Sequence, residues 1–220
     1  MTIRSRAIVI SSVLLLSGCS SATPSAQPQT EPIEAAPEAS ASSAAAEGGP
    51  YAVGQKFTLA WKEGEATETP EDVNLTITVT KFDCGAPADA LLKVGKKTYS
   101  DDYGMTSDAK VDSGYTLCAA NLKFANTGKQ KVQHDPVVQA LDGGGVQYEL
   151  DSDLTNLIAN PITDANRESF GGPSVSMNPR ETAVTAVAFQ IPSDTKITQL
   201  RYVGGGSVYS EPSTALVGIN

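Results

Sequence analysis

The sequence predicts an all-β fold, an antiparallel β-sandwich of about seven or more strands. Short segments between residues 56 and 219 alternate apolar and polar side chains, and turns rich in Gly, Pro and Asp separate them. Helical periodicity is weak in the same region. Alternation with a period of two buries one face of a strand and leaves the other in water. Residues 51–220 are predicted as one domain, a length that is enough for a hydrophobic core.

The strands of the first half carry the clearest alternation. KFTLAW (56–61) is predicted to open the domain. In VNLTITVTKF (73–82) every second residue of the first seven is apolar, namely Val73, Leu75, Ile77 and Val79. YTLCAANLKFAN (115–126) repeats this pattern with Cys118, Ala120, Leu122 and Phe124. Each segment predicts a half-buried strand, and NTGK (126–129) predicts a turn after the last of them.

The second half adds a hairpin and further strands. VVQAL (137–141) and VQYEL (146–150) flank the glycine-rich tip DGGG (142–145), a pattern that predicts a β-hairpin. Three later segments are predicted as strands: TAVTAVAFQI (182–191), ITQLRYV (197–203) and TALVGI (214–219). The first of these is almost continuously apolar, which is typical of a central strand.

Helix signals are short. SDLTNLIAN (152–160) predicts one short helix, capped by Ser152 or Asp153 and ending before Pro161. ADALLKV (88–94) predicts at most another short turn of helix.

A family resemblance covers roughly residues 73–217 and is firmest over 114–203. YTLCAANLKFANTGKQ, QALDGGGVQYELDS and NPRETAVTAVAFQIPSDTKITQLRYVG resemble, in order and spacing, a bacterial family of unknown function with a telokin-like, immunoglobulin-type sandwich. NPRE stands where that family usually has Pro-Gly. Secreted mycobacterial immunoprotective antigens are distantly similar. The resemblance implies an immunoglobulin-like fold in an exported protein or lipoprotein; the family has no agreed catalytic motif and transfers no functional residues.

The N-terminus predicts a lipoprotein signal peptide over residues 1–18. Arg4 and Arg6 precede the apolar run AIVISSVLLL (7–16), which is too short to span a bilayer. Leu-Ser-Gly-Cys then resembles a bacterial lipobox, which implies cleavage before Cys19 and acylation of its thiol. We expect palmitate-type chains on Cys19 to hold the protein at the extracytoplasmic face of the cell membrane. The alternative is a secreted protein in which Cys19 is incidental.

Residues 19–50 are predicted to be a lipid-anchored disordered linker. Pro, Ser, Ala and Glu dominate this stretch, which contains no Lys or Arg. Such a composition buries too little apolar surface to offset the entropy of ordering. A helix through EAAPEASASSAAAE is the alternative, and Pro37 argues against it. A flexible chain of this length reaches about 30 Å.

The two other cysteines, Cys84 and Cys118, favour a disulfide if the domain lies outside the cytoplasm. A bond between them would close a loop over residues 84–118, worth roughly 3–4 kcal/mol in the chain-entropy model. A free thiol pair or part of a metal site is the alternative.

Candidate chemistry is sparse, and we expect neither an enzyme nor a cofactor. The net charge of −9 at pH 7 argues against nucleic acid as a partner. The single histidine, His134, precedes Asp135 but lacks a nucleophile motif. The acidic stretch from Asp101 to Asp112 lacks the spacing of a calcium loop. We therefore predict no catalytic or metal-ligating residues.

The sequence favours a non-enzymatic binding or interaction module with an envelope or extracellular protein partner, besides the membrane contact of the anchor. A carrier that binds a small molecule or metal ion in or beside the sandwich is the alternative. An apolar patch or unpaired edge strand would indicate the first, and a pocket with convergent polar groups the second. A hydrolase that uses His134 is a third hypothesis.

Overall fold

The alternating segments form the strands of a β-sandwich. A computed structural model describes residues 50–63, 71–162, 172–204 and 213–219. The predicted signal peptide, Cys19 and all but the last residue of the predicted linker lie outside the described residues.

Eleven strands and two helices are described in these ranges. The strands are β1 (Tyr51–Ala52), β2 (Lys56–Glu63), β3 (Glu71–Cys84), β4 (Tyr115–Asn126), β5 (Val132–His134), β6 (Val137–Asp142), β7 (Gln147–Tyr148), β8 (Val175–Met177), β9 (Thr182–Pro192), β10 (Ile197–Val203) and β11 (Thr214–Gly218). The helices are α1 (Ala86–Tyr103) and α2 (Ser152–Ala159). Neither of these helices is long and apolar enough to cross a membrane.

The strands form two main sheets and a small third one. One sheet has the order β2-β3-β4-β9 and is antiparallel throughout. The other main sheet has the order β1-β11-β10-β6-β7. The small third sheet consists of β5 and β8. This arrangement confirms the predicted antiparallel β-sandwich. One pair departs from the prediction, because β1 runs parallel to β11.

The main core contains the apolar face that alternation predicts. Leu75 and Ile77 of β3 are fully buried there, and so is Phe124 of β4. Tyr202 of β10 and Phe189 of β9 are among the other large side chains of this core. The period-two pattern therefore identifies the faces of β3 and β4 that point into the main core. The prediction that β4 is only half-buried was wrong, because Leu117 and Ala119 on its other face are buried as well.

A second core lies on the other face of β4 and β9, where α1 and α2 pack. It joins Leu117, Ala119, Ala186 and Ala188 of the sheet to Ala88, Leu92, Leu154, Leu157 and Ile158 of the helices. Small alanines on the sheet let the helices approach closely. The helices thus add a layer beside the sandwich.

The prediction of one short turn at residues 88–94 was wrong, because α1 has 18 residues. Its buried stripe is narrow, consisting of Ala88, Leu92 and Gly95, and lysines and aspartates surround it. Gly95 lies against α2, where an added Cβ atom would meet the carbonyl oxygen of Leu157 at 2.0 Å. A stripe made of one large and two small residues gives little helical periodicity in hydropathy.

The predicted short helix at 152–160 is confirmed as α2, but its cap was wrongly placed. Asp151, one residue earlier, is the N-cap, and its Oδ1 accepts the amide of Leu154 at 2.9 Å. Its other oxygen, Oδ2, accepts the side-chain amide of Gln190 at 2.6 Å. This second bond connects α2 to β9. It favours Asp151, rather than Ser152 or Asp153, as the N-cap residue.

Candidate functional site

A groove of about 680 Å³ lies beside the sandwich, where the second half of α1 faces α2. Tyr99 and Tyr103 of α1 line one wall, and the loop 105–109 continues that wall. Asp153, Asn156 and Asn160 line the opposite side. A cavity of this volume falls in the range of sites for small molecules.

The tyrosine wall follows from helical spacing. Tyr99 and Tyr103 are four residues apart, so they share one face of α1. Their ring centroids are 4.9 Å apart, with 42° between the ring planes. α1 ends at Gly104, whose φ of 65° is left-handed and whose amide donates to the carbonyl of Ser100 at 2.9 Å. This glycine cap turns the chain into the loop that completes the wall.

The α2 wall is held by bonds to β9. Thr155 is buried, and its Oγ1 accepts the amide of Ala188 at 2.9 Å. Asp151 adds its bond to Gln190. Leu157 is buried in the second core and also lines the groove. The exposed face of α2 is therefore held in a fixed position beside the groove.

The groove combines apolar surface with acidic groups. Asp108 and Asp153 supply carboxylates, and among the described residues that line it none is Lys, Arg or His. Tyr103 and Met105 are 36% and 54% exposed, so apolar surface is also available at this site. This combination of convergent polar groups and exposed apolar surface is typical of a ligand site.

The sequence analysis did not predict this groove. Its walls come from residues that are distant in the chain, and one wall depends on the full length of α1. The signal that was available is the pair Tyr99 and Tyr103 at helical spacing, followed by the acid Asp108.

The acidic stretch 100–112 is divided between a helix and a loop. Asp101 and Asp102 belong to α1, and Asp101 pairs with Lys97 at 2.5 Å. Asp108 lines the groove, and the backbone amide of Asp112 donates to Gln190. In the part of the chain that the structure describes, no three His, Cys, Asp or Glu side chains are grouped to hold a metal ion.

His134 lies in the main core. Its side chain is 4% exposed and packs against the rings of Trp61 and Phe124. The Nε2 atom lies 2.5 Å from the hydroxyl oxygen of Tyr202. Burial lowers the pKa of His134 to about 4, against the opposing effect of the charge on Asp135. A neutral imidazole bonded to a core tyrosine does not form the arrangement that a hydrolase requires.

The carboxylate of Asp135 contacts the hydroxyl of Ser174. Asp135, which follows His134 in the chain, is therefore bonded to Ser174, which the pairing of β5 with β8 brings close. The described bond of the imidazole goes to Tyr202. This geometry does not support the hypothesis of a hydrolase that uses His134.

Cys84 and Cys118 are opposite one another on β3 and β4, and a disulfide joins them, with 4.0 Å between the Cα atoms. The chain between them contains α1 and the loop 105–109. The bond thus closes the segment that supplies the tyrosine wall.

Comparisons with known proteins give structural similarity at low identity. No family model and no curated protein matches the chain. An uncharacterized β-sandwich protein from Clostridium difficile is 15% identical, with a TM-score of 0.41, and the match covers 78% of this chain and 95% of that one. The secreted protein MPT63 from Mycobacterium tuberculosis is 9% identical, with a TM-score of 0.40 and coverage of 76% and 95%. A conserved hypothetical protein from Bacillus anthracis is 12% identical, with a TM-score of 0.33 and coverage of 66% and 90%.

Proposed function

We propose that this protein is an extracytoplasmic, non-enzymatic binding module that holds a small ligand in the groove between α1 and α2. The single observation that carries the proposal is the groove itself, a volume of about 680 Å³ in which two aspartates, two asparagines and two tyrosines converge. Sequence alone favoured a protein partner. The groove favours the alternative, a carrier whose site lies beside the sandwich.

The proposal includes a lipid anchor at Cys19 and a location at the outer face of the cell membrane. The charged start, the apolar run and the Leu-Ser-Gly-Cys sequence support it. The Cys84–Cys118 disulfide adds independent support, since such bonds persist mainly outside the reducing cytosol. An anchored carrier with a flexible linker would sample the space near the membrane for its ligand.

An envelope protein partner is the second candidate. The exposed side chains of Tyr103 and Met105 favour it, because a partner that covered them would bury apolar surface beside the groove.

Intact mass of the full chain, purified gently from its own membranes, tests the proposal. Native and denaturing spectra are compared for the wild type and two variants. Asn156→Trp fills the groove from an exposed position of α2, and Ser152→Trp adds the same bulk at an exposed position of α2 that does not line it. We expect a small-molecule mass, lost on denaturation, in the wild type and in Ser152→Trp but not in Asn156→Trp.

The same mass spectra also test whether Cys19 carries a lipid anchor. A chain that starts at Cys19 and carries acyl mass agrees with the proposal. An unlipidated chain cut elsewhere contradicts the anchor. A wild-type chain without bound mass, or bound mass that Asn156→Trp retains, contradicts the groove as the binding site.

A further inference from the structure

The aromatic wall of the groove favours a positively charged ligand. The faces of aromatic rings carry partial negative charge and attract ammonium groups within about 6 Å of the ring centroid. Tyr99 and Tyr103 place two such rings with their centroids 4.9 Å apart on one wall. An anion would meet the same rings unfavourably.

The carboxylates extend this preference to both walls of the groove. Asp108 is on the loop after α1, and Asp153 is in the first turn of α2. Among the described lining residues there is no basic side chain that would neutralise them. The α1 lysine Lys97 pairs with Asp101, which does not line the groove. A cleft lined by charge of one sign concentrates ligands of the opposite sign.

The remaining lining groups match an organic cation rather than a bare ion. Asn156 and Asn160 carry side-chain oxygens that accept hydrogen bonds from N–H groups. Met105 and Leu157 offer apolar contacts for a hydrocarbon part. Such a site combines charge, hydrogen-bond acceptors and apolar surface within a volume suited to a small molecule.

The chain's own linker does not match the groove. Residues 20–50 contain Glu31, Glu34, Glu38 and Glu47 and no Lys or Arg. Like charges would repel this segment from Asp108 and Asp153. The matching occupant is therefore a separate molecule.

We propose that the groove binds an organic cation, a small molecule with a primary or quaternary ammonium group that contacts the rings of Tyr99 and Tyr103 and pairs with the carboxylates of Asp108 and Asp153. This inference rests on the proposed function and specifies its ligand class.

Isothermal titration calorimetry of the full chain in detergent micelles tests the inference. The probes are spermidine, with primary ammonium groups, choline, with a quaternary one, and 3,3-dimethylbutan-1-ol, the neutral isostere of choline. We expect at least one cation to bind at least tenfold more tightly than the neutral isostere.

Matched variants locate the binding. Asp153→Asn removes one groove carboxylate, and Tyr103→Leu removes one ring, so each should weaken binding of the cation by about three- to tenfold. Asp102→Asn and Tyr115→Leu make the same changes at exposed positions that do not line the groove. We expect both controls to bind like the wild type.

Several results would overturn the inference. Binding of the neutral isostere as tightly as the tighter-binding of the two cations, binding of neither cation, or equal weakening by the controls would each do so. The membrane-purified protein separates this failure from that of the proposed function. If the protein purified from membranes carries an anionic or neutral ligand in the groove, only the inference of an organic cation is overturned. If the groove carries no ligand, the proposed function is overturned as well.

Discussion

The imidazole of His134 on β5 lies 2.5 Å, measured from Nε2, from the hydroxyl oxygen of Tyr202 on β10. This contact connects the small β5-β8 sheet to the five-stranded sheet inside the main core. Burial raises the pKa of Tyr202 well above its ordinary value and lowers the pKa of His134 to about 4. Both side chains are therefore neutral at pH 7, and the contact is a hydrogen bond between uncharged groups.

The first prediction concerns acid. The folded pKa of His134, about 4, lies below the 6.5 of a free histidine. Between these values the unfolded chain takes up a proton that the folded chain does not. The contribution of the neutral imidazole is therefore complete above pH 6.5 and is lost as pH falls towards 4. The free energy of unfolding should decrease by about 3 kcal/mol over this window.

Denaturant unfolding at several pH values checks this prediction. His134→Gln keeps a polar partner for Tyr202 and removes the titrating group. Its free energy of unfolding should depend less steeply on pH than that of the wild type. The difference in slope corresponds to the uptake of up to one proton on unfolding. Identical pH slopes in the two proteins would show that His134 does not titrate in this way.

The second prediction concerns the disulfide. Cys84→Ala/Cys118→Ala should lower the free energy of unfolding by about 3–4 kcal/mol, because the oxidised bond restricts the unfolded chain between the two residues. Denaturant unfolding of the variant, with reduced wild type as the control, measures the effect. Equal stability of oxidised and reduced wild type would contradict it.

The third prediction concerns the contact between the helices. In Gly95→Ala the new Cβ atom would overlap the carbonyl of Leu157 on α2. We expect a loss of about 1–3 kcal/mol in stability, typical of overpacking, and weaker binding in the groove. Gly143→Ala is the control, since its Cβ atom would meet only Thr198 at 3.7 Å. Thermal and denaturant unfolding compare the two, and equal stability would indicate that the helices separate without cost.

The fourth prediction concerns the start of α2. Asp151→Ala removes the cap of Leu154 and the bond to Gln190. It should destabilise the protein by about 1 kcal/mol or more. Ser152→Ala, at a neighbouring exposed position, should be nearly neutral. If the two variants are equally stable in denaturant unfolding, Asp151 is not the cap.

The strands were predictable where alternation is long. The predicted bounds 115–126 and 197–203 coincide with β4 and β10. Strands β5 and β8, with three residues each, are too short for a period-two pattern to stand out. Their pairing is a tertiary contact, so no local signal reports it.

The helical layer and the groove were less predictable. Polar residues surround the narrow buried stripe of α1, and the glycine in it, Gly95, lowers the apparent helix propensity. The groove needs α1 and α2 side by side on the outer face of β4 and β9, a packing that depends on alanines such as Ala119 and Ala186. Sequence spacing alone does not show that those alanines face helices.

Amide chemical shifts of the isotopically labelled full chain, titrated by NMR with whichever of spermidine and choline binds more tightly, test the central claim that the groove is the binding site. The account predicts that the largest changes fall in residues 99–109 and 153–160, and that Asn156→Trp abolishes them while Ser152→Trp does not. Changes centred elsewhere, for example at the hairpin tip 142–146, or changes that persist in Asn156→Trp, would contradict it.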